Sequence, residues 1–272
     1  MSSLTLSIIQ TDLAWEDKKA NLDNLSRKID AIKERTEVIL LPEMFSTAFS
    51  MQPELLAEDM SGETVSWMKK TAREKKVILS GSVMIRDAPD PATGGPRFYN
   101  RLIWMLPNGE YGLYDKRHLF AYANEHAHFT AGHKRLIASV NGWKINLQVC
   151  YDLRFPVWSR QSPDDSGGGA AFDVLVYVAS WPQQRSHAWR TLLMARAIEN
   201  QCYVIGVNRT GTDGQGIRYN GGSMIIDPLG EIIFNRTEDE IVFTHTLKKE
   251  KLLEVREKFP FWKDADSFII NI

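Results

Sequence analysis

Three residues whose types together can open an amide stand at the ends of three strand-like runs. Cys150 closes the run Ile145-Asn146-Leu147-Gln148-Val149 and is followed by the polar turn Tyr151-Asp152-Leu153-Arg154-Phe155-Pro156. A thiol mounted where a strand stops projects into the space above the sheet edge, whereas a packing cysteine more often lies inside the apolar run. Glu43 follows Val38-Ile39-Leu40-Leu41, a continuous apolar stretch of the kind buried on both faces. Lys116 follows Glu110-Tyr111-Gly112-Leu113-Tyr114, which begins after the turn Pro107-Asn108-Gly109. Singly they read as a core thiol, a solvated or helix-capping carboxylate and a surface lysine. Together, at strand ends where α/β sheets bind their ligands, they read as an acylating site.

Each residue of that set has a task. A free thiol, with a pKa of about 8.5, is only a few per cent ionised at neutral pH, so a base that takes its proton during attack raises the rate. Glu43 is suited to be that base. Attack on an amide carbonyl develops negative charge on oxygen, and a fixed cation such as Lys116, helped by the backbone N–H after Cys150, stabilises it. The chemistry is acyl transfer: the thiol displaces ammonia or an amine, and water then hydrolyses the thioester.

Such strand ends require a framework of alternating strands and helices. Leu4 to Ile9 reads as a strand, and Ala20, Leu22, Leu25, Ile29 and Ile32 fall at helical spacing. Val65 to Ala72 reads as a helix and Val77 to Met84 as another buried strand, followed by hairpins turning at Pro107-Asn108-Gly109 and Asn141-Gly142. The second half repeats the theme: a strand from Val174 to Ala179, a helix from His187 to Asn200, a strand from Cys202 to Val207 and a hairpin at Pro228-Leu229-Gly230. Periodicity alone thus gives an α/β chain with mixed sheets.

Composition narrows the class. A chain of 272 residues is long enough for one large α/β domain, and no internal boundary divides it, so residues 1–272 read as a single domain. The stretches Asp87 to Pro96 and Ser162 to Gly169 are loop-like but too short for interdomain tethers. The formal net charge is −1, with both signs interspersed, which argues against nucleic acid or an anionic membrane as partner. No apolar run approaches the ~20 residues of a membrane span and no signal peptide is visible, so a soluble, cytoplasmic protein is expected. Two cysteines argue against a disulfide framework or a cysteine-based zinc site, and Cys202 reads as a buried structural thiol. His118, His126, His128 and His133 crowd one segment, but no acidic partner set for a hydrolytic metal is visible, and neither metal nor cofactor is expected.

The segments Leu41-Pro42-Glu43-Met44-Phe45, Tyr114-Asp115-Lys116-Arg117-His118-Leu119-Phe120 and Val149-Cys150-Tyr151-Asp152-Leu153-Arg154-Phe155-Pro156 resemble, in order and separation, the three catalytic segments of the nitrilase (carbon-nitrogen hydrolase) superfamily. Trp181-Pro182, Arg185, Ala195 to Asn200, Asn208-Arg209 and Asp227 to Glu231 resemble its downstream landmarks. Asn124-Glu125-His126 and the Phe259 to Asp266 segment are most similar to those of bacterial ω-amidases. The resemblance implies a four-layer αββα sandwich of two mixed β-sheets flanked by helices, a homodimer joined through a helical face, and no metal. It also implies that Glu125 is a second glutamate beside the lysine, positioning lysine or substrate. Where the superfamily usually shows Pro-Gly-Asp, this chain reads Ala131-Gly132-His133, so the loop there can differ in shape.

By that resemblance the substrates are 2-oxoglutaramate and 2-oxosuccinamate, ω-amides of short 2-oxo dicarboxylates. Their distal carboxylate requires a cation, for which Arg185 ranks first, ahead of Arg154 and Arg117. Arg185 follows the Val174 to Ala179 run and opens a helix, whereas Arg154 reads more readily as an ion pair bracing the turn after Cys150. Phe45, Tyr151 and Trp181 are candidate apolar walls, with a simple core role equally open for each. Alternative substrates are N-carbamoyl amino acids, deaminated glutathione and nitriles. Two other classes are a catalytically idle binding protein of the same fold and a papain-like hydrolase with His118 or His187 as base.

Overall fold

The computed structural model describes residues 2–162, 169–266 and 268–270, so most of the second expected loop, residues 163–168, lies outside it. Among the described residues thirteen strands form two sheets. In the first, β1 (Ser3–Gln10), β2 (Val38–Leu40) and β3 (Ile78–Asp87) run parallel. The antiparallel strands β4 (Arg97–Met105) and β5 (Tyr111–Asp115) extend that sheet on one side.

The second sheet is built around the parallel trio β7 (Trp143–Val149), β8 (Val174–Val178) and β9 (Tyr203–Val207). β6 (Leu136–Val140) pairs with β7 through the expected Asn141-Gly142 turn. On the far side lie β10 (Thr210–Thr212), β11 (Arg218–Ile226) and β12 (Ile232–Thr237), all antiparallel to their neighbours. The last strand, β13 (Ile241–Lys248), returns to the first sheet beside β1, so the chain's end closes the sheet its beginning opened.

The layers follow from which faces are apolar. Between the sheets, Leu6, Ile8, Leu102 and Trp104 of the first meet Trp143, Leu147, Val176 and Ile205 of the second. On the outer face of the first sheet, the helix Lys18–Asp30 buries Leu22, Leu25 and Ile29, and the helix Glu63–Lys75 buries Val65, Met68 and Ala72. Asp17 caps the former by accepting from the Ala20 N–H at 2.9 Å, and Lys76 ends the latter in a left-handed conformation. The helix Ser186–Asn200 covers the second sheet with Trp189, Leu193 and Ala197. The result is the four-layer αββα sandwich. Because each sheet is covered on both faces, its central strands are near-continuous apolar runs, which is why β8 and β9 were readable as strands. No helix among the described residues is long and apolar enough to cross a membrane.

Candidate active site

Cys150 begins a 3-10 turn, Cys150–Arg154, directly after β7, and adopts a left-handed φ of 45°. That conformation bends the chain sharply at the strand end. The thiol then faces a cavity of about 570 Å³ whose floor also includes Lys116, Ser180 and Trp181.

Glu43, Lys116 and Glu125 converge beside it, although they come from three separate segments. Lys116 Nζ donates to Glu43 Oε1 at 2.8 Å and to both oxygens of Glu125 at 2.8 and 3.0 Å. All three side chains are completely buried. Asn100 on β4 joins them, its Nδ2 donating to Glu43 Oε1 at 2.8 Å and Glu125 Oε1 at 3.1 Å. The Ser180 N–H donates to Glu43 Oε2 at 2.8 Å, and the Phe120 N–H to Glu125 Oε2 at 2.6 Å. A buried charge is tolerable only when paired and hydrogen-bonded, and here every carboxylate oxygen has a donor.

The electrostatics follow from that packing. Burial alone would lower the pKa of the Lys116 ammonium, but the carboxylates of Glu125 and Glu43 outweigh it and hold the pKa well above that of an ordinary lysine. Burial, with the Glu43 charge adding and Lys116 opposing, raises the Glu125 carboxyl. Burial and then the Glu43 charge push the Cys150 thiol up, so the thiol rests protonated with a carboxylate facing it. Cys202 is also buried and is pushed up to about 12.

The cavity wall also carries two arginines. Arg154 lies over the Trp181 ring at 4.9 Å and Arg185 over the Phe120 ring at 5.2 Å, and both line the cavity half-buried. Among the described residues neither guanidinium makes a hydrogen bond or an ion pair, so the brace expected of Arg154 is absent. Arg117 is used elsewhere, donating to the Gly132 carbonyl at 3.3 Å and contacting His133 Nδ1 at 3.0 Å. Tyr151 and Trp181 do line the cavity. Phe45 does not: the left-handed turn at Met44 (φ 45°) sends it into the core between sheet and helices, where its N–H donates to the Ser82 carbonyl at 3.2 Å. Phe49 takes the wall position instead, with Lys116 Nζ 5.2 Å from its ring centre.

The four clustered histidines go separate ways. His118 Nδ1 contacts Asp152 at 2.8 Å while its ring stacks on Phe155 at 3.8 Å, and His128 lines the cavity. The Ala131-Gly132-His133 turn is pinned by the Gly132 N–H donating to the Lys116 carbonyl at 2.9 Å. A side chain at Gly132 would collide with the Asp115 carbonyl, so glycine is required there despite the altered flanks. Asn100 was missed in the sequence, although an asparagine inside the strand Phe98-Tyr99-Asn100-Arg101-Leu102 signals a buried polar group that must find partners. Asp213, Gln215 and Ile217, which line the cavity from the β10–β11 loop, carried no local signal.

Comparison with known proteins bears on the family and the fold. The chain is 42% identical to omega-amidase YafV of Escherichia coli K12 over 98% of its length and 99% of that protein. It is 32% identical to 2-oxoglutaramate amidase of Bacillus subtilis, covering 96% of both chains. The crystal structure of XC1258 from Xanthomonas campestris, described as a CN-hydrolase superfamily protein with an arsenic adduct in its active site, superposes with a TM-score of 0.94 at 41% identity, covering 100% of both chains. The carbon-nitrogen hydrolase family model matches residues 5–257, and with these relatives it shows that the chain belongs to the carbon-nitrogen hydrolase family.

Proposed function

We propose that the chain is an ω-amidase that hydrolyses the terminal amide of short 2-oxo dicarboxylate monoamides, 2-oxoglutaramate and 2-oxosuccinamate, to the 2-oxo acid and ammonia. The observation that carries the substrate class is the pair of guanidiniums, Arg154 and Arg185, that make no hydrogen bond or ion pair among the described residues and line the cavity that Cys150 opens into. A carboxylate is the ligand that satisfies them, bidentately if both engage. The omega-amidase and 2-oxoglutaramate amidase relatives support the same class.

In this reading Glu43 takes the thiol proton as Cys150 Sγ attacks the amide carbon. The carbonyl oxygen gains a negative charge beside Lys116 and the Tyr151 N–H. The ammonium has three protons and three carboxylate contacts, so it serves the oxyanion through its charge or by exchanging one of its two Glu125 contacts. Collapse breaks the C–N bond, and ammonia leaves with the proton from Glu43. Water then gives a proton to Glu43 and attacks the thioester, and the departing sulfur recovers that proton. Glu125 and Asn100 hold lysine and base in register throughout.

The test is ammonia release from the two oxo-amides, with glutamine, an N-carbamoyl amino acid and a nitrile alongside, for wild type and Cys150→Ala. Release from the oxo-amides alone, lost by at least about 10⁴-fold in the variant, is the expected result. Turnover surviving in Cys150→Ala overturns the mechanism, and preference for another panel member moves the substrate.

Three further readings belong here. One carbon-nitrogen hydrolase domain accounts for the chain, supported by the match over residues 5–257. A homodimer is expected through the face bearing Ile198, 56% exposed on its helix, beside the half-exposed Leu229, and sedimentation equilibrium gives its mass directly. A catalytic thiol must stay reduced, which favours a cytoplasmic location, checked by fractionation.

A further inference from the structure

Asp152 is completely buried, forms no ion pair with any described lysine or arginine, and takes no proton in the reaction above. Its carboxylate nevertheless collects four donors. Oδ2 accepts from the Tyr114 hydroxyl at 2.7 Å and from the Val149 N–H at 3.0 Å. Oδ1 accepts from the His118 N–H at 2.9 Å and contacts His118 Nδ1 at 2.8 Å. The Tyr114 oxygen is held in turn by Trp158 Nε1, which donates at 2.9 Å.

The chain positions of these donors are the informative part. Tyr114 and His118 stand two residues before and two after Lys116. Val149 immediately precedes Cys150, and Asp152 lies two residues beyond it. β5, which delivers the lysine, belongs to the first sheet, and β7, which delivers the thiol, to the second. No β-ladder links those two strands, so the separation of ammonium and sulfur is not set by sheet hydrogen bonding. The Asp152 carboxylate bridges the gap with charge-assisted bonds, and through Val149 it also caps the turn that holds Cys150 in its left-handed conformation.

We propose that Asp152 is a positioning residue of the amidase reaction, fastening the lysine-bearing segment to the nucleophile turn so that oxyanion charge and sulfur meet in register. This rests on the assignment of Cys150 and Lys116 above. His118 is one arm of the same clamp: its Nδ1 is committed to Asp152 and its ring to Phe155, and it is not among the residues that line the cavity with Cys150.

Asp152→Asn retains the size but presents an NH2 where two of the four donors need an acceptor. A displacement of about 1 Å at a reacting centre costs on the order of 10²-fold in rate. The expected result is therefore a fall in kcat of roughly 30- to 100-fold with KM changed by less than about threefold, because the carboxylate-binding arginines are untouched. Activity is expressed per folded molecule, counted from the size-exclusion peak and its near-UV circular dichroism, so that unfolded molecules do not count.

The clamp can also be examined with Asp152 in place. Tyr114→Phe keeps the ring in the core, and His118→Phe keeps the stack on Phe155. Each lowers kcat by about 3- to 10-fold, and the double variant falls short of the product of the two because both act through one carboxylate. Wild-type kcat per folded molecule in Asp152→Asn, or in both single variants, overturns the proposal, as do effects that multiply independently. Turnover persisting in Cys150→Ala would overturn the underlying amidase assignment instead, so the two failures are distinct.

Discussion

The two charged groups beside the cavity are built on opposite terms. In one, Lys116, Glu43 and Glu125 are wholly buried, and the ammonium and every carboxylate oxygen have partners within 3.1 Å. In the other, Arg154 and Arg185 rest half-buried on aromatic rings with no described hydrogen bond. The first group is finished before substrate arrives, as electrostatic catalysis requires, since dipoles and charges already in place need no reorganisation during reaction. The second is held in position by Trp181 and Phe120 but left electrostatically unsatisfied, which is a way of reserving affinity for an anion. On the proposed function, chemistry and recognition are thus divided between the two groups, and substitutions in them should fail differently.

The largest effect is expected from breaking the finished group. Lys116→Gln removes the cation between two buried carboxylates, which should cost about 3–5 kcal/mol of stability as well as nearly all activity. The loss should depend on pH. Glu125 is already raised by burial and by the charge of Glu43, and losing Lys116 raises it further above its unfolded value. A raised folded-state carboxyl favours folding at low pH, and that advantage is lost as pH rises, so the variant should melt closer to wild type at pH 5.5 than at pH 8. An equal melting deficit at both pH values would mean that the glutamates find other compensation.

Smaller effects are expected in the open group. Arg185→Ala and Arg154→Ala should each raise KM for 2-oxoglutaramate by about 10- to 100-fold, the range for losing a hydrogen bond to a charged group. Both should leave turnover of pentanamide, which has no carboxylate, within about twofold. Equal losses on both amides would assign the arginines to structure and dissolve the comparison.

The subtlest test probes how the finished group acts on the thiol. After burial, the Glu43 charge is the main influence raising the Cys150 pKa. Glu43→Gln should therefore shift the inflection of Cys150 alkylation by iodoacetamide to lower pH, even as amide turnover falls by about 10³-fold from loss of the base. An inflection that stays put or moves upward would separate Glu43 from the sulfur.

Much of this architecture was legible in the chain for identifiable reasons. β8 and β9 are apolar without interruption because helices cover the face turned away from the other sheet, and the Asn141-Gly142 hairpin announced itself through the left-handed conformations at both residues (φ 48° and 79°). The convergence of Cys150, Glu43 and Lys116 was legible because each follows a strand end. Phe45 was misplaced because sequence proximity to Glu43 says nothing about the backbone reversal at Met44. β4 was blurred by Tyr99, Asn100 and Arg101, polar residues whose burial makes sense only with partners from β5 and distant loops. The Asp213 loop was unreadable for a related cause, since it reaches the cavity by a fold-level contact.

Left-handed backbone recurs at this site: Cys150 adopts it, Met44 adopts it next to Glu43, and Asn124 (φ 58°) adopts it immediately before Glu125. Asparagine tolerates this region, but a non-glycine residue held there generally costs on the order of 1–3 kcal/mol. Glycine at position 44 or 150 would relieve that cost. A selection for heat resistance alone, blind to turnover, would accordingly be drawn toward glycine at the proposed nucleophile itself, trading the proposed catalyst for a sturdier inert protein.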